Sequence, residues 1–203
     1  MIQIKYRLLF VLFLWLFLIS CSGPTTNTIQ TIEFTERERF MANMLSDSSH
    51  AYEFSVDDRF NKVYVHLDRY EFGNLIEDQS DVSELELVID HEEPGEIWLH
   101  MSTKPPNEEL MFILGTQNGK GAATWVYLEE TNFDSETTSS SFKTHYGPLT
   151  ISEQKQVLGY YIFTSGTHIE HLHADFDVTD PDDLELLSKY DFVYLISARF
   201  EEY

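Results

Sequence analysis

The chain has 203 residues, 42% of them apolar and 14% aromatic, which is enough to bury one substantial core. Its 35 acidic residues against 13 basic ones give a net charge of −22, a surface that repels phosphate backbones and excludes nucleic-acid binding. A single cysteine, Cys21, rules out an internal disulfide, so stability must come from packing.

The first segment has the makings of an export signal. Lys5 and Arg7 precede twelve uninterrupted apolar residues, Leu8 to Ile19. That run is short for a bilayer span, which needs about 20 helical residues, and suits the apolar region of a signal peptide. It ends in Leu18-Ile19-Ser20-Cys21, which resembles the lipobox of bacterial lipoproteins. The resemblance implies cleavage after Ser20, leaving residues 1–20 as a signal peptide, and a diacylglycerol thioether on Cys21. Two acyl chains hold a protein stably on a membrane where one holds it weakly. Ser22 stands where lipoproteins retained in the inner membrane of many diderm bacteria carry aspartate. The expected location is therefore the cell membrane or outer membrane, with the domain outside the cytoplasm. Without residues 1–20 the balance is 11 basic against 35 acidic side chains, a net of −24.

Residues 21–30 are small and polar and contain Pro24, as expected of a flexible tether, leaving 31–203 as one β-rich domain. Thr35 with Glu38 three positions on is a capping-box pattern and predicts a helix, with Phe40, Met41, Met44 and Leu45 recurring on one side. From Ala51 the period becomes two. Val63, Val65 and Leu67 alternate with polar neighbours, as do Leu85, Leu87 and Ile89. A Glu-Glu-Pro-Gly turn at 92–95 then predicts a hairpin into Ile97, Leu99 and Met101. A second hairpin pairs Leu110–Leu114 with Thr124–Leu128 across residues 117–121. The Ser- and Thr-rich stretch 132–142 has no periodicity and is expected to be a loop. Further strands are expected at Leu158–Thr164, Ile169–Val178 and Phe192–Phe200. The runs at 110–114 and 192–196 are apolar on both faces, so they call for central strands with cover on both sides. Asp180-Pro181-Asp182-Asp183 opens a short helix carrying Leu184, Leu186 and Leu187.

Several motif matches dissolve on inspection. Gly115 to Gly121 is one residue short of a phosphate loop and joins two strands. Ser140-Ser141-Phe142-Lys143 fits Ser-x-x-Lys but lacks the partner motifs of penicillin-recognising enzymes. Adjacent carboxylates such as Glu129 and Glu130 could serve a hydrolase. Among 35 acids, however, adjacency does not nominate a pair.

His168-Ile-Glu-His-Leu-His-Ala-Asp-Phe-Asp177 gathers three of eight histidines. On a strand, His171, His173, Asp175 and Asp177 would share one face. That face is either simply solvated or a metal site in which His171 and His173 chelate, completed by His168 or Asp175. Imidazole ligands would suit zinc, copper or nickel. Trp98, and on a later strand Trp125 and Tyr127, could form a binding surface for sugar rings or a protein partner, or could lie under another layer.

The expected fold is mainly β, bordering on α+β: an antiparallel sandwich or strongly curved sheet with about two short helices. The expected role is a membrane-anchored, extracytoplasmic binding module for an envelope protein or polymer, without catalysis or a resident cofactor. The alternatives are a metal-binding or metal-sensing lipoprotein using His168, His171 and His173, and a hydrolase with an unidentified carboxylate site.

Overall fold

A computed structural model describes residues 27–76, 84–104, 109–119, 121–130, 139–145, 147–173 and 176–203. In chain order the elements are β1 (Thr28–Thr31), α1 (Glu36–Leu45), β2 (Ser48–Ser55), β3 (Phe60–Glu71), β4 (Asn74–Leu75), β5 (Glu84–Val88) and β6 (Gly95–Lys104). They continue with β7 (Glu109–Asn118), β8 (Gly121–Glu130), β9 (Ser139–Thr144), β10 (Leu149–Thr150), β11 (Gln156–Thr164), α2 (Pro181–Leu187) and β12 (Phe192–Glu202). Cys21 and Asp175 lie outside the described residues.

The strands form two antiparallel sheets. One has the order β10-β1-β2-β6-β7-β8; the other runs β4-β3-β12-β11-β9, with β5 also paired to β3. The period-two pattern supplies their facing surfaces. Ile97, Leu99 and Met101 of β6 meet the same core as Val63, Val65 and Leu67 of β3 and Tyr194, Ile196 and Phe200 of β12. Aromatic rings tie the layers together, with Phe112 of β7 centred 5.4 Å from Tyr161 and 4.9 Å from Tyr194. One buried hydrogen bond crosses between sheets: the Tyr52 hydroxyl donates to the Leu158 carbonyl at 2.8 Å. Leu158 sits at a register shift between Val157 and Gly159, a bulge that turns its carbonyl out of the β11–β12 ladder.

The second sheet is covered on its other face as well. Tyr70, Tyr160, Ile162, Val193 and Leu195 pack under Leu172, Phe176, Leu187 and Tyr190 from the connection between β11 and β12. Residues Val193–Ala198 are consequently buried on both sides, as the apolar run at 192–196 requires. The other two-faced run lies on β7, between β6 and β8. The mainly β architecture with two short helices, one near each end of the domain, matches the sequence expectation.

Four local expectations are corrected. Ile169–Val178 is not a strand: its described residues make no ladder, and Leu172 and Phe176 are buried as a lid over the second sheet. The hairpin expected across 92–95 does not form. Leu87 of β5 pairs with Val63 in the other sheet, and residues 90–94 cross between sheets. Buried Asn118 holds that crossing: its side-chain oxygen accepts from the Asp90 N–H, and its Nδ2 donates to the Glu93 carbonyl at 2.8 Å. The ordered domain begins earlier than residue 31, because Thr28–Thr31 joins a sheet and buries Ile29. Ser139–Phe142, expected in a loop, belongs to edge strand β9, where Phe142 packs 4.1 Å from the Tyr161 ring. Helix α1 forms with the expected capping box at Thr35 and Glu38, and its one-sided Phe40, Met41 and Met44 face solvent.

Gly95 provides a direct test of the packing between β2 and β6. It stands opposite Phe54, and a Cβ added there would meet the Phe54 ring at 2.0 Å. Phe54 is buried against Phe200 and cannot swing away freely. Gly95→Ala should therefore lower stability by about 1–3 kcal/mol, the usual cost of forcing extra volume into a packed core. An unchanged urea midpoint would show that the ring does not lie on the glycine.

Candidate functional site

The lid over the second sheet leaves a cleft along its edge. Lys143, Thr144 and His145 lie at the end of β9, Val157–Tyr160 belong to β11, and Leu172, His173 and Phe176 come from the lid; together they enclose about 200 Å³. A second hollow shares Val157 and Phe176 and extends the cleft past Lys155 and Thr179. Register explains the basic rim. Lys143 is the cross-strand partner of Tyr160, and their strand positions alternate with inward Phe142 and Tyr161.

The floor is built from fixed groups. The Tyr160 hydroxyl donates to the Leu172 carbonyl at 3.3 Å, and burial pushes the phenol up to about 12, so it remains neutral. His173 at the mouth is exposed, with Nε2 2.6 Å from Oδ1 of Asp183. Asp183 is itself buried in the first turn of α2, and its other oxygen accepts the Asp177 N–H at 2.7 Å. The sequence assigned Asp183 only to the helix start; its second duty, orienting the lid, depends on a fold-back that no local pattern encodes. Lys155 forms an ion pair with Asp68 at 2.5 Å, whereas Lys143 makes no ion pair among the described residues.

The histidine stretch is thus dispersed. His168 is exposed, and His171 lies near Tyr160, with ring centroids 6.4 Å apart. His173 faces Asp183. Without a strand, the alignment of His171, His173 and Asp177 on one face is lost; Asp175 lies outside the described residues. Among the described residues no group of three His, Cys, Asp or Glu side chains converges to hold a metal ion. Trp98 lies on the outer face of the first sheet, stacked against Phe34 at 5.7 Å and hydrogen-bonded through Nε1 to Glu96 at 2.9 Å. Trp125 and Tyr127 are in register with Leu114 and Phe112; their side chains lie outside the described set.

Chemically, the cleft offers an apolar floor, a lysine and two imidazoles inside a strongly acidic domain. That combination suits a small ligand with an apolar body and one anionic group. Among the described lining hydroxyls, that of Tyr160 is committed to a carbonyl and Thr144 is buried. The cleft is therefore equipped to hold and orient a molecule.

Residues 28–200 match the family model of the YgaN domain. No curated protein and no solved structure matches the chain. No helix of the described residues is long and apolar enough to cross a membrane.

Two other histidines set an acid limit on the fold. Burial, helped by nearby His100, pushes His50 down to about 4. Burial again, with Lys155 and Arg199, pushes His66 down to about 4, outweighing half-exposed Glu84 at 3.5 Å. In the unfolded chain both would protonate near 6.5. The folded form therefore binds fewer protons between those values. Stability should be fully present above pH 6.5 and fall as the pH is lowered towards 4. Urea midpoints measured at pH 7, 6 and 5 should decline in the parent and decline less steeply in His50→Gln/His66→Gln, where His100, also held down by burial, remains; parallel curves would show that His50 and His66 are not buried neutral.

Proposed function

We propose that this chain, which belongs to the YgaN domain family, is a lipid-anchored, extracytoplasmic binding module that takes a small amphipathic anion in the cleft under its lid. The observation that carries the binding half is the clustering of Lys143, His145 and His173 around an apolar floor in a domain of net charge −24. Such a surface disfavours anions over most of its area, so a cation with no ion pair among the described residues at an apolar cleft is informative. The anchoring half is supported by the short apolar run and by Cys21 at the end of the lipobox-like sequence. The His173–Asp183 contact fixes an imidazole at the cleft mouth and gives the ligand a defined polar partner. The partner delivering or receiving the ligand would be an envelope protein or polymer.

Each half has its own test. Hexanoate should raise the melting temperature in a saturable manner and shift the NMR signals of Lys143, His145 and His173. Hexylamine has the same chain and the opposite charge, and should leave those signals unmoved. Lys143→Ala should abolish most of the hexanoate effect without lowering the unliganded melting temperature. Equal responses to both probes would reduce the cleft to a crevice of the fold. For anchoring, the full chain should sediment with membranes and Cys21→Ala should release it; retention of that variant would mean that something other than acylation holds it.

A further inference from the structure

Helix α1 presents an apolar surface that the domain leaves uncovered. Phe40, Met41 and Met44 are 66%, 54% and 73% exposed, and with Arg37 they occupy positions i, i+3, i+4 and i+7 of one helical stripe. Ala42 is buried instead, on the side where α1 meets β2 and β6. Both ends are capped, and the C-terminal end is tied to the sheet. The Thr35–Glu38 capping box closes the start, with the Thr35 N–H donating to Glu38 at 2.8 Å. At the other end the Ser46 N–H donates to the Ala42 carbonyl at 3.0 Å, and the Asp47 N–H donates to Met101 of β6 at 2.9 Å. Rolling the apolar stripe inward would expose Ala42 and strain the Asp47–Met101 bond.

We propose that α1 is an interfacial helix that seats Phe40, Met41 and Met44 in the surface of the bilayer to which the chain is anchored, with Arg37 at headgroup level. This rests on the lipid-anchored reading of Cys21. Only six residues separate Cys21 from Thr28, the first residue of β1. At roughly 3.5 Å per extended residue they hold the start of β1 within about 25 Å of the membrane, and α1 follows β1 after four residues. The stripe is thus held close to lipid by the chain itself. A second copy is a poor occupant, because three side chains on a ten-residue helix fall well short of the roughly 1,200–2,000 Å² buried in a stable interface. An acidic domain also gains little from anionic headgroups, so contact is best made by an apolar wedge flanked by a cation.

Because Cys21 is the chain's only cysteine, a thiol-reactive, polarity-sensitive dye can test both ideas in the full chain. If Cys21 is acylated, the parent takes up no dye and Met44→Cys takes up one. In membranes doped with bromine-tailed phosphatidylglycerol, dye at position 44 should emit to the blue and be quenched. Dye at the exposed α2 position in Glu185→Cys should be neither. Adding Phe40→Ser and Met41→Ser should return the emission at position 44 to that of the control. Water-like emission at position 44 in an acylated chain overturns the proposal, as does cross-linking of Met44→Cys copies without quenching, which would mark a second copy as the occupant. Labelling of Cys21 in the parent instead overturns the anchoring reading. The helix is then judged with Cys21→Ala/Met44→Cys on vesicles of zwitterionic, bromine-tailed phosphatidylcholine, which do not repel the acidic domain: a quenched, blue-shifted dye upholds insertion of the helix, and a water-like one ends it.

Discussion

The rest of the structure depends on the burial of β12 on both faces. Val193–Ala198 have essentially no contact with water, so this strand must have sheet neighbours on both edges and apolar layers above and below. The first sheet provides one layer. The other must come from the chain between β11 and β12, and that requirement shapes the lid: Leu172, Phe176, Leu187 and Tyr190 are placed to meet Tyr160, Ile162, Val193 and Leu195. The cleft is a by-product of this arrangement. An irregular lid covers a sheet less evenly than a helix or strand would, and the gap falls along the edge strand β9, where Lys143 reaches the rim.

Much of this was legible in the sequence, and the failures have physical causes. Period-two patterns at 63–67 and 97–101 placed the inward residues correctly, because alternation reports which side of a chain is buried. Alternation does not report what the backbone pairs with. Leu172 and Phe176 alternate as a strand's residues would, yet they belong to an extended lid whose amides make no ladder. The same gap misassigned β5. Pro94-Gly95 is a sound turn signal, but the choice between β6 and β3 as its partner rests on Val63 and Leu87 meeting in space, and on Asn118 gripping the crossing from far along the chain.

The helix α1 shows a subtler limit. Its cap and its apolar stripe were both readable, but which side faces the domain was not. A helix close to a sheet is served by a small residue at the contact, and Ala42 takes that place. The candidate site was the least legible part. Three histidines close in sequence suggested a shared site, and the fold separates them. The residues that do meet, Lys143, His145 and His173, come from distant segments joined only by the sheet and its lid.

The position of β12 also bears on how the protein is made. Its principal partner, β3, lies roughly 120 residues earlier in the chain, so the centre of the second sheet closes only through a contact of long sequence separation, the kind that forms slowly. Until β12 arrives, β3 and β11 are two strands with apolar faces and unpaired edges, and the lid has nothing complete to cover. A chain that emerges N-terminus first would spend nearly the whole of its synthesis in that unfinished state. It would then need shielding from its neighbours until the last strand slots between the two that wait for it.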